Sequence, residues 1–288
     1  MDIKIYAPNS KPDGIGGGFS FYRNFRKGMN EKVFFVDSWQ ECDIVFITSI
    51  TLIDKEEVYE AKQNGKKIVL RVDNVPRKSR NKRSSPHERL REFSEISDVV
   101  IYQSEWAKDY CYPLCGDGTI IYNGVDESIF KPDLTKQNPN RYLFAYHGKN
   151  EQKNFWEAWL RFQYIFRANP EAEFWFIYDF GRDGQELNDA QFDFWNGEKY
   201  KHLDRTDNPE DMARVLQSCG SLIYPAIADA APNIVLEARA CGLKILHPSD
   251  RELSGTQELI DLKDISLERM CDEYHGVFKV IMQEANVL

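Results

Sequence analysis

Two acids, Asp229 and Glu237, stand eight positions apart in the stretch PAIADAAPNIVLEARACGLKIL, residues 225–246. Pro232 suits the first turn of a helix, where its missing N–H costs nothing. The preceding Asp229-Ala230-Ala231 segment then forms a tight turn. It sets the backbone N–H groups of Ala230, Ala231 and Asn233 at a helix N-terminus, which favours an anion such as phosphate. Glu237 falls about one and a half turns into that helix. Its carboxylate can accept hydrogen bonds from two vicinal hydroxyls, as a ribose requires, while Asp229 can accept from sugar hydroxyls. Taken alone, the same pattern also describes an ordinary surface helix with an acid near each end.

The elements that must position these residues alternate along the chain. Short apolar strands are predicted at 3–6, 33–36, 44–47, 67–72, 99–102 and 119–122, then at 142–146, 173–178, 200–203, 222–224 and 244–246. Helices are predicted at 19–29, 55–64, 153–168, 209–218 and 233–240. Strands rich in β-branched residues, alternating with helices, predict an α/β chain of doubly wound parallel sheets. The polar stretch 126–140, DESIFKPDLTKQNPN, lacks periodicity and reads as a linker. The expected domains are 1–128 and 129–264, two Rossmann-like units facing a central cleft. Residues 265–288 are expected to form a C-terminal helix closing back toward the first domain.

Composition narrows the function classes. With 42% hydrophobic and 29% charged residues, the 288-residue chain is that of an ordinary globular protein. A net charge of −9 argues against general nucleic-acid binding. No apolar run approaches the ~20 residues of a membrane span, and the opening MDIKIYAP reads as a strand, so a cytoplasmic location is expected. The six cysteines are scattered without metal-ligand spacing and read as ordinary thiols, so no metal centre and no cofactor are expected.

Around the acid pair the chain resembles the retaining glycosyltransferases of the GT-B fold, the large family numbered four. That family carries an acid, seven residues, a glutamate, then a small-residue helix and a Gly-Leu-Pro strand entry. Here Asp229, seven residues and Glu237 are followed by ARACGLKIL. Asp229 replaces the usual first Glu, and Lys244 replaces the usual Pro. The resemblance extends through SDVVIYQSEWAKDY (97–110), YNGVDESIFKPD (122–133), YHGKNEQKNFWEAW (146–159) and DNPEDMARVLQSCGSLIYP (207–225), in the family's order. It implies a metal-independent hexosyltransferase. Such an enzyme moves a sugar from a UDP- or GDP-sugar co-substrate to a glycan, lipid-linked or small-molecule acceptor with retention of anomeric configuration.

The resemblance also assigns the donor phosphates. No Asp-x-Asp motif occurs in the chain, so basic side chains stand in for a metal: Lys149 and Lys153, the latter being the closer match. Gly16, Gly17 and Gly18 would bring backbone close to the donor. The competing dinucleotide fingerprint is a poor match, because GIGGGF lacks the third glycine of GxGxxG and does not turn directly off its strand, although Asp37 at the end of the next strand keeps that alternative open. His147, at a strand end facing the expected cleft, could touch the donor phosphate or sugar. The histidine that the family commonly places after the fourth strand is missing, since the first histidine in the chain is His87. The matching segment KIVLRVDNV offers Asp73 or Asn74 in its place, so the expected catalytic set is Asp229, Lys153 and Asp73. The remaining histidines, at 87, 202, 247 and 275, show no ligand spacing.

The basic run RKSRNKR, Arg77–Arg83, reads either as a solvated loop or as a contact for an acidic acceptor or an anionic membrane surface. A peripheral location at such a surface is therefore also open. Two alternatives to transfer stand beside it: a nucleotide-sugar epimerase of the same shape, and a catalytically degenerate nucleotide-sugar or glycan-binding protein.

Overall fold

The computed structural model describes residues 2–9, 16–73, 75–76, 86–146, 153–178, 199–206, 208–248 and 254–285. Two compact units divide the chain: Met1–Gly124 with Lys263–Leu288, and Val125–Leu262.

In the first unit, strands β1 (Lys4–Tyr6), β2 (Phe34–Phe35), β3 (Ile44–Ile47), β4 (Lys67–Arg71), β5 (Val99–Tyr102) and β6 (Thr119–Ile120) alternate with helices α1 (Gly17–Met29), α2 (Lys55–Gln63), α3 (Pro86–Ile96) and α4 (Glu105–Cys115). The strands form one parallel sheet in the order β2-β1-β3-β4-β5-β6. All four residues of β3 are buried, as a central strand covered on both faces must be. Helix α4 begins where the Ser104 side chain accepts the Ala107 N–H at 3.0 Å, an N-cap.

In the second unit, β7 (Asn138–Ala145), β8 (Glu173–Ile177), β9 (Tyr200–His202), β10 (Cys219–Ile223) and β11 (Lys244–Leu246) accompany helices α5 (Phe155–Ala168), α6 (Pro209–Gln217), α7 (Asn233–Ala240) and α8 (Thr256–Asp261). Their parallel sheet runs β11-β10-β7-β8-β9. Helix α6 carries a full start signal: Asn208 accepts from the N–H groups of Glu210 and Asp211, and Pro209 opens the first turn. The core gathers Phe144, Phe155, Phe162, Phe174, Phe176 and Tyr200 from α5 and three strands.

Strand β7 corrects one expectation. It starts at Asn138, inside the stretch that reads as linker, and it contains Pro139. Proline removes a ladder donor and is normally kept out of central strands. Here the register against β10 shifts between Cys219 and Ser221. Gly220 lies so close to Pro139 that a Cβ would stand 2.6 Å from its Cα. The irregularity in β10 accommodates the proline.

The chain ends in helix α9 (Leu267–Ala285), which returns to the first unit. Met270, Tyr274, Phe278 and Ile281 recur at helical spacing and bury against Phe21 and Phe25 of α1 and Phe46 of β3. The Phe25 and Tyr274 rings meet edge to face, with centroids 5.3 Å apart. Arg269 fixes the start of the helix by donating to the carbonyls of Tyr122 (2.9 Å) and Asn123 (2.8 Å).

Candidate functional site

In an open parallel sheet, ligands bind outside the carboxyl ends of the strands, at the point where strand order reverses. In the second sheet that point lies between β7 and β10. The loop after β7 delivers Lys153, and the loop after β10 delivers Tyr224, Asp229 and the start of α7.

These residues meet. The Lys153 ammonium is ion-paired to Asp229 Oδ2 and donates to the Tyr224 hydroxyl at 3.0 Å. Tyr224 in turn donates to the same Asp229 Oδ2 at 2.7 Å. Lys153 is only 8% exposed and Tyr224 1%. The rings of Tyr146 and Tyr224 flank the ammonium, at 5.1 and 5.6 Å from their centroids, within cation–π range. A buried lysine charge is tolerable because a carboxylate, a phenol oxygen and two ring faces replace its water.

The backbone is bent on both sides of this pair. Among the described residues, Asn154 (φ 55°) and Ala228 (φ 52°) are the non-glycine positions with positive φ. One follows Lys153 directly and the other precedes Asp229 directly. Asparagine tolerates the left-handed region, whereas alanine there carries a cost of about 1 kcal/mol or more. Asn154 Nδ2 also donates to the Pro225 carbonyl at 3.0 Å, stitching the two loops together. Gly255 N–H holds the Asp229 carbonyl at 2.9 Å.

The remaining expected groups of this unit follow Asp229. Ala230 and Ala231 are buried, while Asn233 at the start of α7 and Glu237 within it are half-buried. His147 and Lys149 lie outside the described residues.

Sequence spacing does not single out His247, which the fold brings alongside. Parallel register sets Leu246 beside Ile223, and His247 Nδ1 donates to the Tyr224 carbonyl at 2.6 Å. Its Nε2 is buried and, among the described residues, without a hydrogen-bond partner. Burial pushes the imidazole below its ordinary pKa and the Arg161 charge adds to that, against an opposing pull from the Tyr224 carbonyl. Sequence reading also misses Tyr224 and Tyr146. The one signal for Tyr224 is a phenol closing an apolar strand just ahead of Pro225.

In the first sheet, order reverses between β1 and β3. Gly16 takes φ 122° as the N-cap of α1, a conformation glycine supplies without strain. Asp73, just past β4, reaches the same turn: a Cβ on Gly18 would lie 3.5 Å from Asp73 Oδ2. The Gly-rich turn and the acid expected to stand in for the missing histidine are therefore neighbours. Asn74 and the basic run 77–83 lie outside the described residues.

Beneath this turn Arg71 is 1% exposed. It donates to the Thr48 carbonyl (3.2 Å), Gln103 Oε1 (2.5 Å) and Asn123 Oδ1 (3.1 Å), and stacks 3.5 Å over the Phe21 ring. The three acceptors stand beyond the ends of β3, β5 and β6, so one guanidinium ties these strand ends to β4. Burial lowers its pKa; Tyr274 and Asp73 beside it oppose that shift.

No family model matches the chain, and no curated protein matches it by sequence. Solved structures do. Anabaena HepE in complex with UDP-glucose aligns at TM-score 0.64 and 12% identity, over 99% of this chain and 91% of that one. Sucrose-phosphate synthase from Thermosynechococcus elongatus aligns at TM-score 0.67 and 11% identity, over 99% and 100%. AviGT4, a glycosyltransferase involved in avilamycin A biosynthesis, aligns at TM-score 0.66 and 12% identity, over 98% of both chains. The chain has the GT-B fold. In this GT-B chain, among the described residues, no group of three or more His, Cys, Asp or Glu is placed to hold a metal. No described helix is long and apolar enough to cross a membrane.

Proposed function

We propose that the chain is a glycosyltransferase that takes a sugar from a UDP-sugar, without a metal, and passes it to an acceptor with retention at the anomeric carbon. The observation that carries this reading is the Lys153–Asp229 pair at the switch point of the second sheet, flanked on both loops by left-handed backbone. The GT-B neighbour HepE is solved with UDP-glucose, which supports UDP as the nucleotide.

In this reading Lys153 meets the charge that develops on the departing diphosphate, assisted by the N-terminus of α7. Asp229 accepts from hydroxyls of the donor sugar, and Glu237 accepts from the two ribose hydroxyls. Asp73, beside the Gly16–Gly18 turn, accepts from a hydroxyl of the donor sugar or of the acceptor. A carboxylate at that turn suits a hydroxyl better than a phosphate, since like charges repel. Retention rests on the likeness of the Asp229–Glu237 segment to retaining enzymes.

The test is turnover. The protein is incubated with UDP-glucose, UDP-N-acetylglucosamine and GDP-mannose, each with a panel of glycan and lipid-linked acceptors. Nucleotide release and the product's anomeric proton coupling are followed by NMR. Acceptor-dependent UDP release with an unchanged anomeric configuration is expected. An altered UDP-sugar formed without acceptor would make the protein an epimerase. Binding without turnover would leave it a nucleotide-sugar binder.

A further inference from the structure

We infer that Tyr224 is a positioning residue of the donor site, whose hydroxyl locks the sugar-gripping carboxylate of Asp229 to the phosphate-gripping ammonium of Lys153. This inference rests on the reading above and adds a residue to it. A phenol has one proton to give and lone pairs to receive. The proton goes to Asp229 Oδ2 at 2.7 Å, so the oxygen is left to accept from Lys153 at 3.0 Å. One hydroxyl therefore orders both charged groups through a single carboxylate oxygen. Lys153 spends two of its three ammonium protons on Tyr224 and Asp229, and in this reading a donor phosphate takes the third.

The side chain is well suited to hold position. It is 1% exposed, follows β10 directly, and its backbone carbonyl receives His247 Nδ1. A buried ring with two torsions loses little freedom on binding, so the geometry is set before the ligand arrives. A short aspartate on a loop also has more need of such a brace than one on a helix, where neighbouring turns constrain the rotamer.

A double-mutant cycle tests this, with affinities for UDP-glucose and UDP measured by calorimetry on wild type, Tyr224→Phe, Asp229→Asn and the double variant. The Phe variant keeps the ring and loses only the oxygen. UDP-glucose affinity is expected to fall ~10-fold in Tyr224→Phe, the size of one hydrogen bond to a charged group. The double variant is expected to bind as Asp229→Asn does, because the phenol acts through that carboxylate. Tyr224→3-fluorotyrosine, which keeps the hydroxyl, should restore wild-type affinity, and this arm separates the hydrogen bond from packing. Wild-type affinity in Tyr224→Phe, losses that multiply in the double variant, or failure of 3-fluorotyrosine to rescue would each overturn the inference while leaving the donor site standing. If wild type binds neither UDP-glucose nor GDP-mannose nor ADP-glucose, the glycosyltransferase reading itself falls, and the role of Tyr224 falls with it.

Discussion

The Asp229 carboxylate rests on the ammonium of Lys153, a residue 76 positions earlier in the chain, and both side chains are close to nine-tenths buried. Pairs of this kind are weak contributors to stability, because desolvation offsets most of the attraction, yet breaking one side strands the other charge. Lys153→Met is therefore expected to cost about 3 kcal/mol in urea unfolding. Adding Asp229→Leu should recover part of that loss, since an apolar pair needs no desolvation, while the buried Tyr224 hydroxyl, deprived of both these partners, keeps the recovery incomplete. The double variant should be folded and unable to bind UDP-glucose. A double variant as unstable as Lys153→Met would show that the pair stabilises the fold in its own right.

Arg71 yields a second expectation. Removing its guanidinium leaves the Thr48 carbonyl, Gln103 and Asn123 without that donor in a buried space. Arg71→Met should destabilise the protein by about 3–5 kcal/mol, since each buried acceptor deprived of a donor costs ~1–3 kcal/mol. Arg71→Lys should recover less than half of this, because a point charge can neither reach three acceptors nor stack on Phe21. Urea midpoints of the two variants against wild type check both statements.

Much of the architecture is legible in the sequence because burial on both faces leaves a strong mark. The runs at 44–47 and 99–102 are strands over those same residues, and 233–240 is helix as its Pro232 start signal predicts. Strand β7 is not legible at its start, because Asn138-Pro139-Asn140 has turn composition and only the irregular pairing with β10 admits it. At the site, Asp229 and Lys153 stand out by type, but their contact depends on two distant loops meeting at a switch point. Tyr224 has partners 71 and 5 positions away, a pattern with no periodicity to detect. Parallel register, and not spacing, sets His247 on the Tyr224 carbonyl. Arg71 looks solvated by charge alone; four strand ends converging on one point are what bury it.

The imidazoles predict a pH dependence with a definite sign. Burial depresses His247 below the ordinary 6.5, and His275 is lowered for the same first reason, with the Lys279 and Lys32 charges adding to it. Each is neutral in the fold at a pH where the unfolded chain already binds a proton. Stability is then complete above pH 6.5 and declines as pH falls through the depressed folded values. The depressed carboxylates, such as Asp98 and Asp264, begin from 3.8, so their loss comes at lower pH and does not overlap. Urea midpoints are expected to fall between pH 7 and pH 5. His247→Asn, whose amide can still donate to the Tyr224 carbonyl, should flatten that slope. An unchanged slope in the variant would assign the dependence to His275.

Gly18 offers the cleanest separation of fold from function in the first unit. Its φ lies outside the left-handed region, and an added Cβ would meet only Asp73 Oδ2, at an ordinary 3.5 Å. Gly18→Ala should therefore fold without strain and gain up to about 1 kcal/mol, since alanine is the better helix former in the second position of α1. Gly16→Ala is different: at φ 122° it should cost about 1 kcal/mol or more. If the turn brings backbone close to the donor, the Gly18→Ala methyl enters that space beside Asp73. Affinity for UDP-glucose should then drop ~10-fold or more, from contact with a ligand alone. Thermal unfolding and calorimetry on the same preparation decide the matter. Raised stability with lost affinity would mark the turn as a ligand surface. Raised stability with unchanged affinity would make the three glycines a device for starting α1 and would move the donor contacts of this unit to Asp73 alone.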